Sequence, residues 1–122
     1  MNKPLALIVE DEPDIGDIFS LALKAAGFRT EVISSGAKAL TWLATEVPDV
    51  VVLDVRLPYV SGVEILRHIR ADPRLAKTPV IVATAYPDSA VALQELADLV
   101  LIKPISLSQL RALATRLCSL TG

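Results

Sequence analysis

Five short apolar or β-branched runs, each followed by an amphipathic stretch, set the tightest limit on what this chain can fold into. The runs are Leu5-Ala6-Leu7-Ile8-Val9, Thr30 to Ile33, Val50-Val51-Val52-Leu53, Val80-Ile81-Val82-Ala83 and Leu99-Val100-Leu101-Ile102. A strand covered on both faces reads as a continuous apolar run, whereas a one-sided strand alternates. Between the runs the apolar residues fall at helical spacing. Ile15, Ile18, Phe19, Ala22, Leu23 and Ala26 share one face, and Gly27 stops that helix. Ser35-Gly36 opens a second helix with Ala39, Leu40, Leu43 and Ala44 in phase. Val63, Leu66 and Ile69, with Ile65 alongside, fit a third that ends near Asp72-Pro73. A short helical piece is expected from Ser89 to Leu96. Ser106 can cap a last helix that buries Leu107, Leu110, Ala114 and Leu117. The order βαβαβαβαβα predicts an α/β fold: a parallel sheet with helices on both faces.

A length of 122 residues suits one domain, read here as spanning 1–122 with no output domain. A net charge of −2 offers no basic surface for a phosphate backbone, so direct nucleic-acid binding is not expected. The single cysteine, Cys118, excludes an internal disulfide or a cysteine metal cluster, and it reads as a small apolar residue of the last helix. No apolar stretch approaches the roughly 18 residues of a membrane span, and the start is not that of a signal peptide. A cytoplasmic protein is expected.

The polar residues at the carboxyl ends of the runs carry the chemistry. In an open α/β sheet, ligands bind beyond those ends. The first run ends in Glu10-Asp11-Glu12, the third in Asp54, the fourth in Thr84 and the fifth in Lys103-Pro104. The second ends in Ser34-Ser35-Gly36, as suits an edge strand. Carboxylates about 4 Å apart repel by roughly 4 kcal/mol at an effective dielectric near 20. Lys103 can relieve this, and so can a divalent ion with all-oxygen ligands. Such ligands suit Mg²⁺, with Mn²⁺ as the alternative, and not zinc. A carboxylate beside such an ion can attack phosphorus, because phosphoryl transfer is mainly positioning and charge neutralisation. Asp54, Thr84 and Lys103 are the residue types that this requires.

These segments resemble the receiver domain of two-component response regulators, of the chemotaxis-type single-domain kind. The matching pieces are Leu7-Ile8-Val9-Glu10-Asp11-Glu12-Pro13, Val51 to Pro58 with Gly62 behind it, Pro79 to Ala85, and Ile102-Lys103-Pro104. Together they span nearly the whole chain. The resemblance implies a flavodoxin-like, doubly wound five-stranded sheet in the order 2-1-3-4-5. It implies that Asp54 is the phospho-acceptor. It implies that Asp11, Asp54, Glu10 and the Arg56 backbone carbonyl hold Mg²⁺, Glu10 directly or through water. Thr84 is then the switch hydroxyl and Lys103 the bridge to the phosphoryl group. Ala85 leaves room for that group, and Pro104 can form a cis bond that aims the lysine. The donor is a sensor histidine kinase or a histidine phosphotransfer protein. The readout is the face made by the short helical piece, the fifth strand and the last helix. The chain is then a monomer or weak dimer. It is a signalling domain whose only catalysis is Mg²⁺-dependent self-phosphorylation and autodephosphorylation.

Three features depart from the family pattern. Glu10-Asp11 stands where two aspartates are usual. Val100, three before the lysine, replaces the usual aromatic ring of the switch. The stretch from Thr84 to Lys103 is about three residues short, with Leu96 where glycine is usual. Two other functions therefore stand beside the switch. One is a receiver-like interaction module that does not depend on phosphorylation. The other is an aspartate-nucleophile phosphatase, which Arg56 opposes because a second acid belongs two residues after the nucleophile. Tyr86, two past Thr84, either gates access, stands in for the missing ring, or covers the loop, the last being favoured. Glu12 reads as a helix-dipole acid and Asp14 and Asp17 as a solvated helix start. Trp42 reads as packing and His68 as a surface or helix-packing residue.

Overall fold

The computed structural model describes residues 3–57, 59–85, 93–103 and 105–121; at 107, 114 and 117–121 the description is of the backbone. Among the described residues nine elements follow one another: β1 (Leu5–Val9), α1 (Pro13–Ala25), β2 (Arg29–Ile33), α2 (Gly36–Leu43), β3 (Val50–Asp54), α3 (Gly62–Ala71), β4 (Val80–Thr84), β5 (Leu99–Ile102) and α4 (Leu107–Thr121). The strands form one sheet in the order β2-β1-β3-β4-β5, and every pairing is parallel. Fold class and strand order are those expected from the sequence.

The period-two pleat of the strands divides the core into two layers. Leu7, Val9, Val51, Leu53, Val80 and Val82 point to one face and pack with Ala39, Leu43, Ile65, Leu66 and Ile69 of α2 and α3. Ala6, Ile8, Val50, Val52, Ile81 and Leu101 point to the other and pack with Phe19, Leu23 and Leu110 of α1 and α4. Burying each Leu, Ile or Val contributes about 1.5–3 kcal/mol. β3 and β4 are buried at every position, which is why they read as unbroken apolar runs. β2 is an edge strand exposed along most of its length, and its sequence is correspondingly mixed.

Local signals place the helix starts. Pro13 opens α1 at a position where a missing N–H costs nothing. Ser35 and Ser61 accept from Lys38 N and Glu64 N, and Ser106 accepts from Gln109 N at 3.0 Å. Two expectations of phase fail. Ile18 lies on the apolar side of α1 by spacing, yet it is 41% exposed, because α4 covers α1 only in part. Ala44 is the exposed C-cap of α2 rather than part of its buried face. Of the helical piece expected at 89–96, residues 93–96 form a turn, with Leu96 N and Ala97 N both donating to Leu93 O. Residues 89–92, Tyr86, Pro104 and the Cys118 side chain lie outside the described residues.

The amino-terminal end of the sheet is fastened by one guanidinium that sequence pattern does not reveal. Arg70 of α3 donates to Leu96 O (2.6 Å), Ala76 O (3.1 Å), Thr78 O (2.8 Å) and Asp98 Oδ2 (2.7 Å). The same Asp98 oxygen accepts from Val80 N at 2.7 Å, so this hub also fixes the start of β4 against the start of β5.

At the other end, Gly62 has a steric role. Its N–H donates to Val55 O at 3.0 Å and closes the loop after β3. A Cβ at this position would run into the Asp54 carbonyl oxygen and would lie 2.7 Å from Val55 Cα, both of them backbone atoms. Gly62→Ala should therefore lower stability by about 1–3 kcal/mol, read as a lower urea midpoint. A midpoint equal to wild type would show that this loop is free to shift.

Candidate functional site

The carboxyl ends of four strands meet at one rim. Val9 pairs with Leu53 in the sheet, so Glu10, one step on, stands level with Asp54. The Glu10 N–H donates to Ile33 O at 3.1 Å, which continues the β1–β2 ladder and fixes its backbone. Asp54 pairs with Ala83 and Thr84 with Ile102, while the Lys103 N–H donates to Thr84 O at 2.7 Å. Register alone therefore delivers Lys103 to the side of Asp54. Its Nζ lies 3.5 Å from Asp54 Oδ2 and 3.5 Å from Glu10 Oε1. The other Asp54 oxygen, Oδ1, accepts from the Arg56 N–H at 3.1 Å. Glu10, Asp54 and Thr84 are buried, Lys103 is half-buried and Asp11 is exposed.

The electrostatics are those of a crowded anionic site. Carboxylate oxygens of Glu10, Asp11 and Asp54 all lie within 4.8 Å of one another. Glu10 carries the strain: burial first, then the hydrogen bond and the charge of Asp54, push its carboxyl up to about 8, with Lys103 pulling the other way. Its second oxygen, Oε2, is buried with no hydrogen-bond partner among the described residues. An orphaned buried acceptor beside two further carboxylates fits a hard divalent cation with oxygen ligands, and Mg²⁺ matches that donor set. No described residue contributes a nitrogen or sulfur ligand to this group.

The remaining expected residues fall as follows. The Arg56 side chain is exposed while its backbone N–H binds Asp54. Ala85 lines a groove of about 430 Å³ with Ile15, Ile18, Phe19, Lys103 and Ile105. Val100 is half-buried and packs against the α2–α3 side of the core, as do Leu96 and Ala97. Glu12 is the N-cap of α1 but makes no side-chain cap bond, and Asp14 and Asp17 are exposed. Trp42 packs against the core, and His68 lies exposed on α3. Sequence reasoning passed over Tyr59. It stands fully exposed in the loop after β3 at φ 67°, and an aromatic residue in the middle of a proline- and glycine-bearing loop was the available signal.

Comparison with known proteins agrees with this geometry. Residues 6–115 match the family model of the response regulator receiver domain. The chain is 34% identical over 109 residues to the DNA-binding response regulator MtrA of Mycolicibacterium smegmatis, covering 87% of this chain and 46% of that protein. It is 32% identical over 122 residues to the sensor histidine kinase TmoS of Ectopseudomonas mendocina, covering 98% of this chain and 12% of that protein. The chain thus spans less than half the length of these relatives. Among solved structures, the chemotaxis response regulator CheY4 of Vibrio cholerae superposes with a TM-score of 0.85 at 26% identity, covering 93% of this chain and 98% of that one. With four strand tips converging on one buried aspartate, and with the family model matching nearly the whole chain, this protein belongs to the response regulator receiver domain family.

Proposed function

We propose that residues 1–122 act as one phosphorylation switch in which Asp54 accepts a phosphoryl group from a phosphohistidine on a sensor kinase or phosphotransfer protein. The observation that carries this reading is the placement of Lys103 Nζ 3.5 Å from Asp54 Oδ2, with Oδ1 held by the Arg56 N–H. One oxygen is thereby oriented by a backbone donor, and the other faces an ammonium that can follow negative charge as it moves onto phosphorus. In the transfer, with the donor ring protonated on its other nitrogen, the bond between phosphorus and the imidazole nitrogen breaks with its electron pair going to that nitrogen, an Asp54 oxygen–phosphorus bond forms, and neutral imidazole leaves. Thr84, at the end of β4, accepts from the Lys103 N–H through its carbonyl oxygen, and its hydroxyl would answer the new oxygens. Glu10, Asp11, Asp54 and the Arg56 carbonyl would hold Mg²⁺, which supplies countercharge when bound. The burial of Glu10 and Asp54 keeps bulk water from this side of the acceptor.

The readout follows from what surrounds β5. Val100 has no ring to rotate, so displacement of Thr84 passes through aliphatic packing at Val100, Leu96 and Ala97. This places the responsive surface on β5 and the segment before it, next to α4. The chemistry is that of a signalling domain, limited to its own phosphorylation and slow dephosphorylation. Among the described residues no helix is long and apolar enough to cross a membrane, and a cytoplasmic monomer or weak dimer fits this reading.

Acetyl phosphate with Mg²⁺ should label the wild type and leave Asp54→Ala unlabelled, scored by intact mass. Equal labelling of the two proteins would end the assignment, and EDTA should abolish labelling of the wild type. Stability should show the cost of Glu10. A carboxyl raised from 4.5 to about 8 keeps its proton in the folded state while the unfolded chain releases it. The metal-free protein should therefore lose stability as pH rises through that window, and Glu10→Gln should flatten the slope. Mg²⁺ should raise the melting temperature most at the upper end of the window. A metal-free melting temperature that instead rises with pH there would contradict the buried-carboxyl account.

A further inference from the structure

The loop after β3 carries a feature that the acceptor chemistry does not use. Among the described residues, Tyr59 is the one non-glycine with positive φ, at 67°. In that conformation a side chain crowds its own backbone, a cost that glycine would not carry. Nothing among the described residues offsets it, because Tyr59 is fully exposed at 102% of the reference area. The other described aromatics are used internally: Phe19 and Phe28 are buried, and Trp42 packs against the core. Strain without internal return points to a use outside the chain.

Position narrows that use. The loop runs from Val55 to Gly62 and is closed at its base by the Gly62 N–H to Val55 O bond of 3.0 Å, so Tyr59 sits at its tip. The same base is tied to the acceptor, since Arg56 N donates to Asp54 Oδ1. Val60, the next residue, packs against the core and meets the start of α2 near Gly36, which anchors the tip from the other side. The ring is thus an exposed, projecting aromatic on a short loop rooted at Asp54. A phosphoryl group carried on a protein histidine extends only one side-chain length from its own backbone. The carrier's surface must therefore rest on the loops around the nearly buried Asp54. An exposed tyrosine has few rotatable bonds and a large contact area, the kind of residue that dominates protein interfaces.

We propose that Tyr59 is a specificity-determining contact for the protein that delivers the phosphoryl group; this rests on the reading of Asp54 as acceptor. Small-molecule donors need no such contact. A partner that binds only after phosphorylation would leave delivery unchanged when the ring is removed.

The test compares wild type with Tyr59→Gly, Tyr59→Asn and Tyr59→Phe. Purified transmitter domains of histidine kinases, labelled on histidine, serve as protein donors, and acetyl phosphate serves as the small donor. Glycine and asparagine both accept positive φ, so neither variant should melt below wild type. With the donor that is fastest for wild type, both should lose about tenfold in kcat/KM through KM, while Tyr59→Phe stays close to wild type. Labelling by acetyl phosphate should be unchanged in all three. Unchanged transfer from the kinase donor in Tyr59→Gly overturns the proposal, as does an equal loss with acetyl phosphate, which would place the effect on Asp54 itself. A wild type that takes acetyl phosphate but accepts from no kinase donor also overturns it. Failure of wild type to label at Asp54 with acetyl phosphate would instead remove the underlying reading of the site.

Discussion

The structure turns on a conflict of like charge. The register of β1 against β3 brings two carboxylates to the same level at the same rim, and Asp11 adds a third beside them. At an effective dielectric near 20, charges about 4.8 Å apart interact by roughly 3.5 kcal/mol, which is a sizeable share of what holds a small domain folded. Lys103 meets this from one side only. It touches Glu10 and Asp54 at equal distances, yet burial first and Asp54 second leave Glu10 so unfavourable as an anion that its proton affinity is far above the ordinary range. The site is therefore built short of positive charge. Under the proposed function a cation would enter a place already in tension, and the residues that make the bare domain less comfortable would be those that make it responsive.

Much of this was legible in the sequence because burial leaves a pattern. β3 and β4 are covered on both faces, and their unbroken aliphatic runs say so. The acids, the hydroxyl and the lysine each stand just where a run stops, so parallel topology alone sends them to a common edge. Ser35 and Ser106 marked helix starts for stereochemical reasons that do not depend on the rest of the fold.

Other features left no such trace. The Arg70 hub binds mostly backbone carbonyls, which every residue possesses, so no partner sequence announces it. Ile18 fits the apolar stripe of α1, but its exposure depends on how α4 lies across that helix, a tertiary matter. The strain at Tyr59 is set by where Val60 and Gly62 are anchored, and a tyrosine in a loop gives no hint of the sign of φ. The orphaned oxygen of Glu10 became visible only once its neighbours had positions.

The Arg70 hub divides labour along the sheet. Fastening is concentrated at the strand beginnings, where one guanidinium gathers α3, the approach to β4 and the approach to β5. The carboxylates and Lys103 gather at the strand endings, a full strand length away. A molecule organised this way behaves like a hand gripped at the wrist. Its fingertips can be respaced by a methylene, as the longer side chain of Glu10 does beside Asp11, while the grip that keeps the strands in order goes untouched.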